Sequence, residues 1–163
     1  MYAWIIFLHV FSVLSFLLAH GASAAVMFRV RVEREPARIH ALLDLAKAFS
    51  LSVTVTSSLL LITGIIAGFM GGWWGRGWIW TALALFIAIS FAMSFMGRLY
   101  FDRVRRAIGV ATSEDEKKKA IEPEALPPDQ LVAVLNSGQP MALTVAGLGG
   151  LAVILWLMMF KPF

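Results

Sequence analysis

The chain has 163 residues, of which 60% are hydrophobic and 15% are charged, and its formal net charge is +4. Soluble domains average roughly 45–50% apolar and about 25% charged residues, so this composition excludes an ordinary soluble fold. The length leaves room for one domain, and the apolar residues come in long runs instead of the alternating pattern of a membrane β-barrel. The absence of cysteine excludes disulfides and thiolate metal sites. A small all-α integral membrane protein is therefore predicted.

Four apolar segments are long enough to cross a hydrocarbon core of about 30 Å, which takes roughly 20 helical residues. Backbone polar groups in lipid must pair within their own segment, so all four are predicted to be helices that form a four-helix bundle in a single transmembrane domain. Residues 22–25 imitate a signal-peptide cleavage site, but no positive charge precedes the first apolar run, so the first helix is expected to stay in the protein. The predicted spans are residues 2–28, 49–70, 78–96 and 141–160.

Positive charges fall mainly on one side of these spans. Five Lys and Arg follow the first span and seven follow the third, whereas only Arg76 and Lys161 stand on the other side. The positive-inside rule then predicts the cytoplasmic (inner) membrane of a prokaryote, with both termini outside. All six Trp fall at the outer ends of the helices, as interfacial anchors do. Basic residues beside apolar runs are expected to meet lipid headgroups, so nucleic acid is not an expected partner.

The helices are expected to extend past the membrane on the cytoplasmic side. Pro36 suits the first position of a helix that continues into the second span, and the third helix should run to about Ile108, with Gly109 as its stop.

A cytoplasmic linker is predicted over residues 109–139. Residues 113–116 favour a capping box that begins a short charged helix, and Pro127-Pro128 predict a turn. An amphipathic helix over residues 129–137 is expected to lie at the inner membrane surface and to end near Gly138.

Small residues recur at helical spacing in three spans, and such residues let membrane helices approach closely. A stripe of hydroxyl residues on the second helix either packs between helices or lines a polar path; packing is favoured because no carboxylate or Lys joins it inside the span. The hydroxyl stripe is Ser50, Thr54, Ser57 and Ser58, followed on the same helix by the small residues Gly64 and Gly68. The small faces of the third and fourth helices are Ala84, Ala88 and Ala92, and Ala146 and Gly150.

His9 and His20 are the two ionisable residues within the spans, and both belong to the first helix. Eleven residues turn a helix by about 1100°, so both imidazoles point to the same side, with a rise of about 16 Å between them. Ionisable residues in a membrane are functional candidates, and imidazole is a common ligand of haem iron. His9 is open to three interpretations: a hydrogen-bonded packing residue, a haem ligand, or a proton or metal site. His20 is favoured as a packing or interfacial residue.

Each histidine is predicted to lie at the same depth in the membrane as certain residues of the other helices. His9 should share its level with Thr63, whereas His20 lies level with three methionines, so a His–Met ligand pair is open there. Thioethers also suit Cu(I). No nucleophile–base pair, phosphate loop or carboxylate pair is present, so no catalytic residue is assigned. The candidate cofactor ligands are His9, which would hold haem iron, His20 and, more weakly, Met93, Met96 and Met141.

Short motifs near both ends of the chain resemble the small membrane-bound protoporphyrinogen oxidase family of bacterial haem synthesis and the related copper-resistance D-type proteins. The resemblance implies a small helical bundle and matches His9 to the family's first-helix histidine, a proposed haem ligand. The family's lysine in the third span has no counterpart between Trp78 and Met96, so this chain is expected to have lost the enzyme. The motifs are Met1-Tyr2-Ala3-Trp4, Leu8-His9-Val10, Phe28-Arg29-Val30, Thr63-Gly64, Asn136 with Pro140, and Lys161-Pro162-Phe163.

The favoured hypothesis is an accessory subunit of a larger membrane redox assembly, with b-type haem at His9 and with the lipid bilayer and other membrane subunits as partners. Two alternatives stay open: a haem-dependent oxidoreductase similar to protoporphyrinogen oxidase, and a small copper permease. An enzyme is the less favoured class because no complete catalytic set is present.

Overall fold

The structure, a computed structural model, describes residues 1–118, 123–137 and 139–163, and these form helices and no strands. Four helices are long and apolar enough to cross a membrane, so the predicted all-α membrane bundle is confirmed. The helices are α1 (Tyr2–Val32), α2 (Pro36–Gly71), α3 (Gly77–Ala107), α4 (Ser113–Lys118), α5 (Pro128–Leu135) and α6 (Gln139–Phe160), with a 3-10 turn at Trp73–Gly75 between α2 and α3.

Local sequence sets the ends of the long helices as predicted. Pro36 occupies the first turn of α2, where a missing amide hydrogen costs nothing, and Glu35 before it is extended. Gly72 ends α2 with a φ of 67°, and Gly109 follows α3 with a φ of 77°. Both values lie in the left-handed region that glycine adopts without a Cβ penalty, so the chain can reverse at these points.

A capping box begins α4 one residue earlier than predicted. Thr112 Oγ1 accepts the Asp115 N–H at 3.3 Å, while the Asp115 carboxylate accepts the Thr112 N–H at 3.0 Å. The same carboxylate accepts two hydrogen bonds from Arg106 on α3, at 2.8 and 3.1 Å. Thr112 and not Ser113 is the N-cap because only this register lets the carboxylate also reach Arg106, which ties α4 to α3.

The apolar face of the amphipathic helix α5 packs into the protein, and the position of α5 at the inner membrane surface stays a prediction. Leu131 and Leu135 on its apolar face are buried against α1 and α3. Burial in a protein core satisfies an apolar face as well as lipid does, and the short linker brings α5 within reach of that core. The predicted end near Gly138 lies outside the described residues.

The four long helices stand in a ring. α1 packs along α2 and α3 packs along α6, and the ring closes where α1 meets α6 and α2 meets α3. In the described part of the chain the diagonal pairs, α1 with α3 and α2 with α6, make no close backbone approach. The axis of the bundle is therefore available for side chains from all four helices.

Buried residues concentrate at the two ends of the ring. The end with the α1–α2 turn, α4 and α5, here called the basic end, holds the larger core. The other end, here called the Trp end, holds the α2–α3 turn and the residues at both ends of the chain, and Trp78, Ile79, Ala82 and Leu157 form its core. Thirteen buried residues make the basic-end core: Val26, Met27, Val30, Ile39, Leu43, Ala46, Tyr100, Val104, Ala107, Ile108, Leu131, Leu135 and Leu143.

The small residues that pack α3 on α6 belong to α6, which corrects part of the packing prediction. A Cβ on Gly150 would overlap Ile89, and one on Gly147 would lie 3.0 Å from Met93 Cε. Gly147 and Gly150 therefore make the grooves into which larger α3 side chains fit. The predicted alanine faces are exposed instead: Ala84, Ala88 and Ala92 on α3, and Ala146 on α6.

The hydrogen bonds of the Asp115 carboxylate to Arg106 and Thr112, here called the Asp115 anchor, make the stability of α4 decrease at low pH. Hydrogen bonds from Arg106, and then from Thr112, hold the pKa of Asp115 well below its usual range. Because the pKa of Asp115 is lower in the folded state than in the unfolded state, the ionised carboxylate stabilises the fold at pH values above the unfolded-state pKa of about 3.9. This contribution is lost as the pH falls through the folded-state pKa. We expect α4 amides to stay protected from hydrogen–deuterium exchange down to about pH 4, after correction for intrinsic rates.

The substitution Asp115→Asn should speed exchange across α4 at pH 7, because the amide cannot accept the paired bonds from Arg106. Glu124→Gln is the matched control, since Glu124 is exposed and makes no ion pair among the described residues. Equal exchange in both variants would show that the anchor does not order α4.

Candidate functional site

His9 lies on the face of α1 that packs against α2. The partly covered or buried residues of this face recur at helical spacing and include Ser12, Phe16 and His20, so both histidines share one stripe as predicted. His9 Nδ1 lies 3.2 Å from Thr63 Oγ1 on α2. Thr63 was the residue expected at this depth, and the hydrogen bond places the two side chains together.

The threonine hydroxyl determines which nitrogen of His9 carries the proton. Thr63 Oγ1 has one hydrogen, which it donates to the Leu59 carbonyl at 2.7 Å, with a longer contact to Leu60 at 3.2 Å. Because that hydrogen is used, the oxygen can only accept from the imidazole, so Nδ1 carries the hydrogen and Nε2 keeps a lone pair. A fixed tautomer with a free Nε2 is the state in which an imidazole binds a metal.

Gly64 makes room for the His9 ring. A Cβ at this position would lie 3.0 Å from His9 Cε1 and 3.4 Å from Nδ1, which is closer than side chains normally pack. The Nδ1–Cε1 edge of the ring therefore rests directly on the α2 backbone, and the adjacent Thr63 orients it. The pair Thr63-Gly64 forms a seat for His9.

His20 faces the opposite helix pair. Its ring stacks on Phe16, with centroids 5.6 Å apart and planes inclined by 16°. His20 Nε2 and Met93 Sδ lie 3.3 and 3.4 Å from the point that a Cβ on Gly147 would occupy. A nitrogen from α1 and a sulfur from α3 thus converge on one glycine of α6, although His9 on the same stripe contacts α2.

A central cavity of about 70 Å³ adjoins His20 and is lined by all four long helices. Its wall combines aromatic and aliphatic side chains with hydroxyl groups, and its volume is that of about two water molecules at roughly 30 Å³ each. Thr54 donates its hydroxyl to the Ser50 carbonyl and Ser57 to the Thr54 carbonyl, so both satisfy themselves within α2. The hydroxyl residues that line the cavity are Thr54, Ser57, Ser90 and Ser94.

The other candidate ligands lie apart from this cavity. Met96 packs against the basic-end core, and Met141 is 54% exposed at the start of α6. The structure therefore brings Met93 to His20 and leaves Met96 and Met141 elsewhere. Among the described residues, no three His, Asp or Glu side chains come close enough to hold a metal ion.

The cavity hydroxyls of α3 were missed at the sequence level. Ser90 and Ser94 are four residues apart in an otherwise apolar span, so they share a face, and this spacing was the available signal. Gly64 was predicted to belong to a small packing face of α2, and the structure confirms close packing there. That its partner is the His9 ring could not be read from the sequence, because it depends on how close α1 comes to α2.

The ring of four long apolar helices defines an integral membrane protein. The chain matches the family described as predicted integral membrane protein (DUF2269) over residues 3–162, and it belongs to that family. The match supports a small membrane family, and it does not extend to protoporphyrinogen oxidase or to copper-resistance D-type proteins. No curated protein and no solved structure matches the chain.

The His9 seat predicts that Gly64 tolerates no side chain. Gly64→Ala adds a methyl group against the imidazole, and such overpacking costs about 1–3 kcal/mol. Gly149→Ala is the matched control, because a Cβ there meets nothing within 4 Å. Both changes gain the same helix propensity, so we expect Gly64→Ala to be less stable than Gly149→Ala by about that amount. Reversible denaturation of the detergent-solubilised protein measures the difference, and equal stabilities would contradict the seat.

Proposed function

We propose that this membrane protein is an accessory subunit of a redox assembly and binds b-type haem between itself and a partner subunit, with His9 Nε2 as one iron ligand. The observation that carries the proposal is the His9 seat, in which Thr63 orients the ring and Gly64 supports it. The haem group would supply one-electron chemistry when bound. The residues of this chain would hold and orient one side of it.

The state of His9 suits iron ligation. Ligating histidines donate their other ring N–H to an oxygen atom, which fixes the ring and strengthens the ligand. His9 Nδ1 has such an acceptor in Thr63 Oγ1. Within the described residues Nε2 makes no hydrogen bond, and it is not among the polar atoms that are buried without a partner. The Nε2 lone pair is therefore not engaged by a hydrogen bond among the described residues.

The volume of the bundle supports placing haem at an interface. The central cavity is about 70 Å³, whereas sites for drug-sized ligands span roughly 300–1,000 Å³. Haem cannot fit inside that cavity, so it would contact His9 from the flank of the bundle. Thr63, the side chain that contacts His9, is not a ligand for haem iron. A second axial ligand would come from another subunit.

The outer surface of α3 supports the accessory role. Ala84, Ala88 and Ala92 form an exposed face of small residues in the membrane. Small residues let a second helix approach the backbone closely, which is the main source of helix association in lipid. A helix of a larger membrane protein would pack on such a face.

The two alternatives have less support. An oxidase similar to the resembled family would need its third-span lysine, which α3 lacks between Trp78 and Met96. A copper permease would use thioether ligands, and His20 with Met93 offers one nitrogen and one sulfur. Neither Met96 nor Met141 lines the cavity beside that pair, so no second thioether joins Met93 there.

The test is a dithionite-reduced minus oxidised visible spectrum of the tagged full chain, isolated from its native membrane in mild detergent so that partners remain bound. We expect a haem α-band that is lost, together with bound haem, in His9→Ala. Thr63→Val should keep the ring but weaken haem retention by about 10–100-fold, because it removes the group that orients the ligand.

His40→Ala is the matched control, because His40 is a half-exposed histidine of the basic end that lies 3.8 Å from Asp44. It should retain the full α-band. An α-band that persists in His9→Ala would overturn His9 as the ligand, and a flat spectrum from a preparation that contains its partners would overturn haem binding.

A further inference from the structure

A second pocket lies at the Trp end, far from His20. Its volume is about 270 Å³, and it is lined by Trp73, Arg76, Trp78 and Lys161. This volume is just below the roughly 300–1,000 Å³ of sites for drug-sized ligands, so it suits a small polar group. Two cations and two indole rings are an unusual lining for a membrane protein surface that contains no catalytic set.

Backbone geometry builds this pocket. Lys161 has a φ of 47°, which makes it the one non-glycine residue with positive φ in the described part of the chain. Such a conformation is costly for a residue with a Cβ and persists where surrounding contacts enforce it. The bend sets the Lys161 ammonium 4.7 Å from the ring centre of Trp73 and 5.7 Å from that of Trp78.

The residues after the bend lock it in place. The Phe163 oxygen accepts a hydrogen bond from the Trp78 N–H at 3.2 Å, which caps the first turn of α3. The Phe163 ring packs closely on Gly77, where an added Cβ would lie 2.7 Å from Cδ2 of the ring and would displace it. The segment 161–163 is thereby held over the α2–α3 turn, and Lys161 and Arg76 are brought to one pocket.

The side chains that line this pocket include two cations and no carboxylate. All ten Asp and Glu residues lie between positions 33 and 129, and none lies between Asp44 and Asp102 or after Asp129. Among the described residues neither Arg76 nor Lys161 forms an ion pair. Arg76 and Lys161 carry like charges on one pocket and therefore repel each other, and an anion between them would relieve that repulsion.

We propose that this pocket binds a phosphate group, carried either by the headgroup of an anionic phospholipid or by a soluble phosphate compound. The Arg76 guanidinium has the planar donors that pair with phosphate oxygens, and the Lys161 ammonium supplies a second charge. The indole rings of Trp73 and Trp78 sit at the membrane boundary, where Trp meets lipid headgroups. The site is independent of haem binding.

The test is a titration of the full chain in a neutral detergent, followed by intrinsic Trp fluorescence. The probes are dioctanoyl phosphatidylglycerol, dioctanoylglycerol, which has the same acyl chains without phosphate, and inorganic phosphate. We expect a saturable change with phosphatidylglycerol or with inorganic phosphate and none with dioctanoylglycerol. The probe that binds more tightly identifies the lipid or the soluble source.

Arg76→Gln should weaken phosphate binding by about tenfold, since it removes one charge-assisted contact, and Arg76→Lys should restore part of the affinity. Arg76 is exposed, so both variants should keep the helical circular dichroism of the parent. Lys47→Gln is the charge-matched control at the basic end and should bind as the parent does. Equal affinity in Arg76→Gln and the parent, or an equal response to dioctanoylglycerol, would overturn the proposal.

Discussion

Lipid removes the hydrophobic reason for two helices to associate, because an apolar side chain gains little by leaving acyl chains for another helix. The described helices show the consequence of this constraint. Large cores form at the basic end and at the Trp end, while the middle of the ring is joined by glycines, hydroxyls and single side chains. Contacts in the middle must therefore be specific, and those of His9 and His20 are among them.

The two histidines show that one face of α1 packs against two different helices of the bundle. Along α1 the packing stripe first meets α2, where Thr63 and Gly64 receive His9, and then meets α6, where Gly147 receives His20. In each case a glycine lets an imidazole approach a backbone. The difference is that His9 has a hydrogen-bond acceptor, whereas His20 faces a small cavity whose wall is mostly apolar with a few hydroxyl groups. This difference separates a ring oriented by a hydrogen bond from one that lines a cavity.

The number of long helices and their ends could be predicted from the sequence, because apolar runs and the residues that begin and end helices are local properties. Pro36 and Gly109 set helix ends as predicted, and Thr63 lies at the depth expected for His9. The sequence predicted less accurately which side of each helix packs against another helix. The alanines of α3 were expected to pack and are exposed, because spacing shows that a face exists but not what it meets. The Trp-end pocket depends on a bend at Lys161 that no local pattern signals.

The central claim is that Thr63 fixes the proton of His9 on Nδ1 and leaves the Nε2 lone pair free. Nitrogen-15 NMR of the histidine-labelled protein measures this directly, because the two neutral tautomers have distinct ring-nitrogen shifts. The account predicts the Nδ1–H tautomer at His9 in the protein without a ligand, and a change to mixed tautomers in Thr63→Val. A predominantly Nε2–H ring in the parent protein would contradict it.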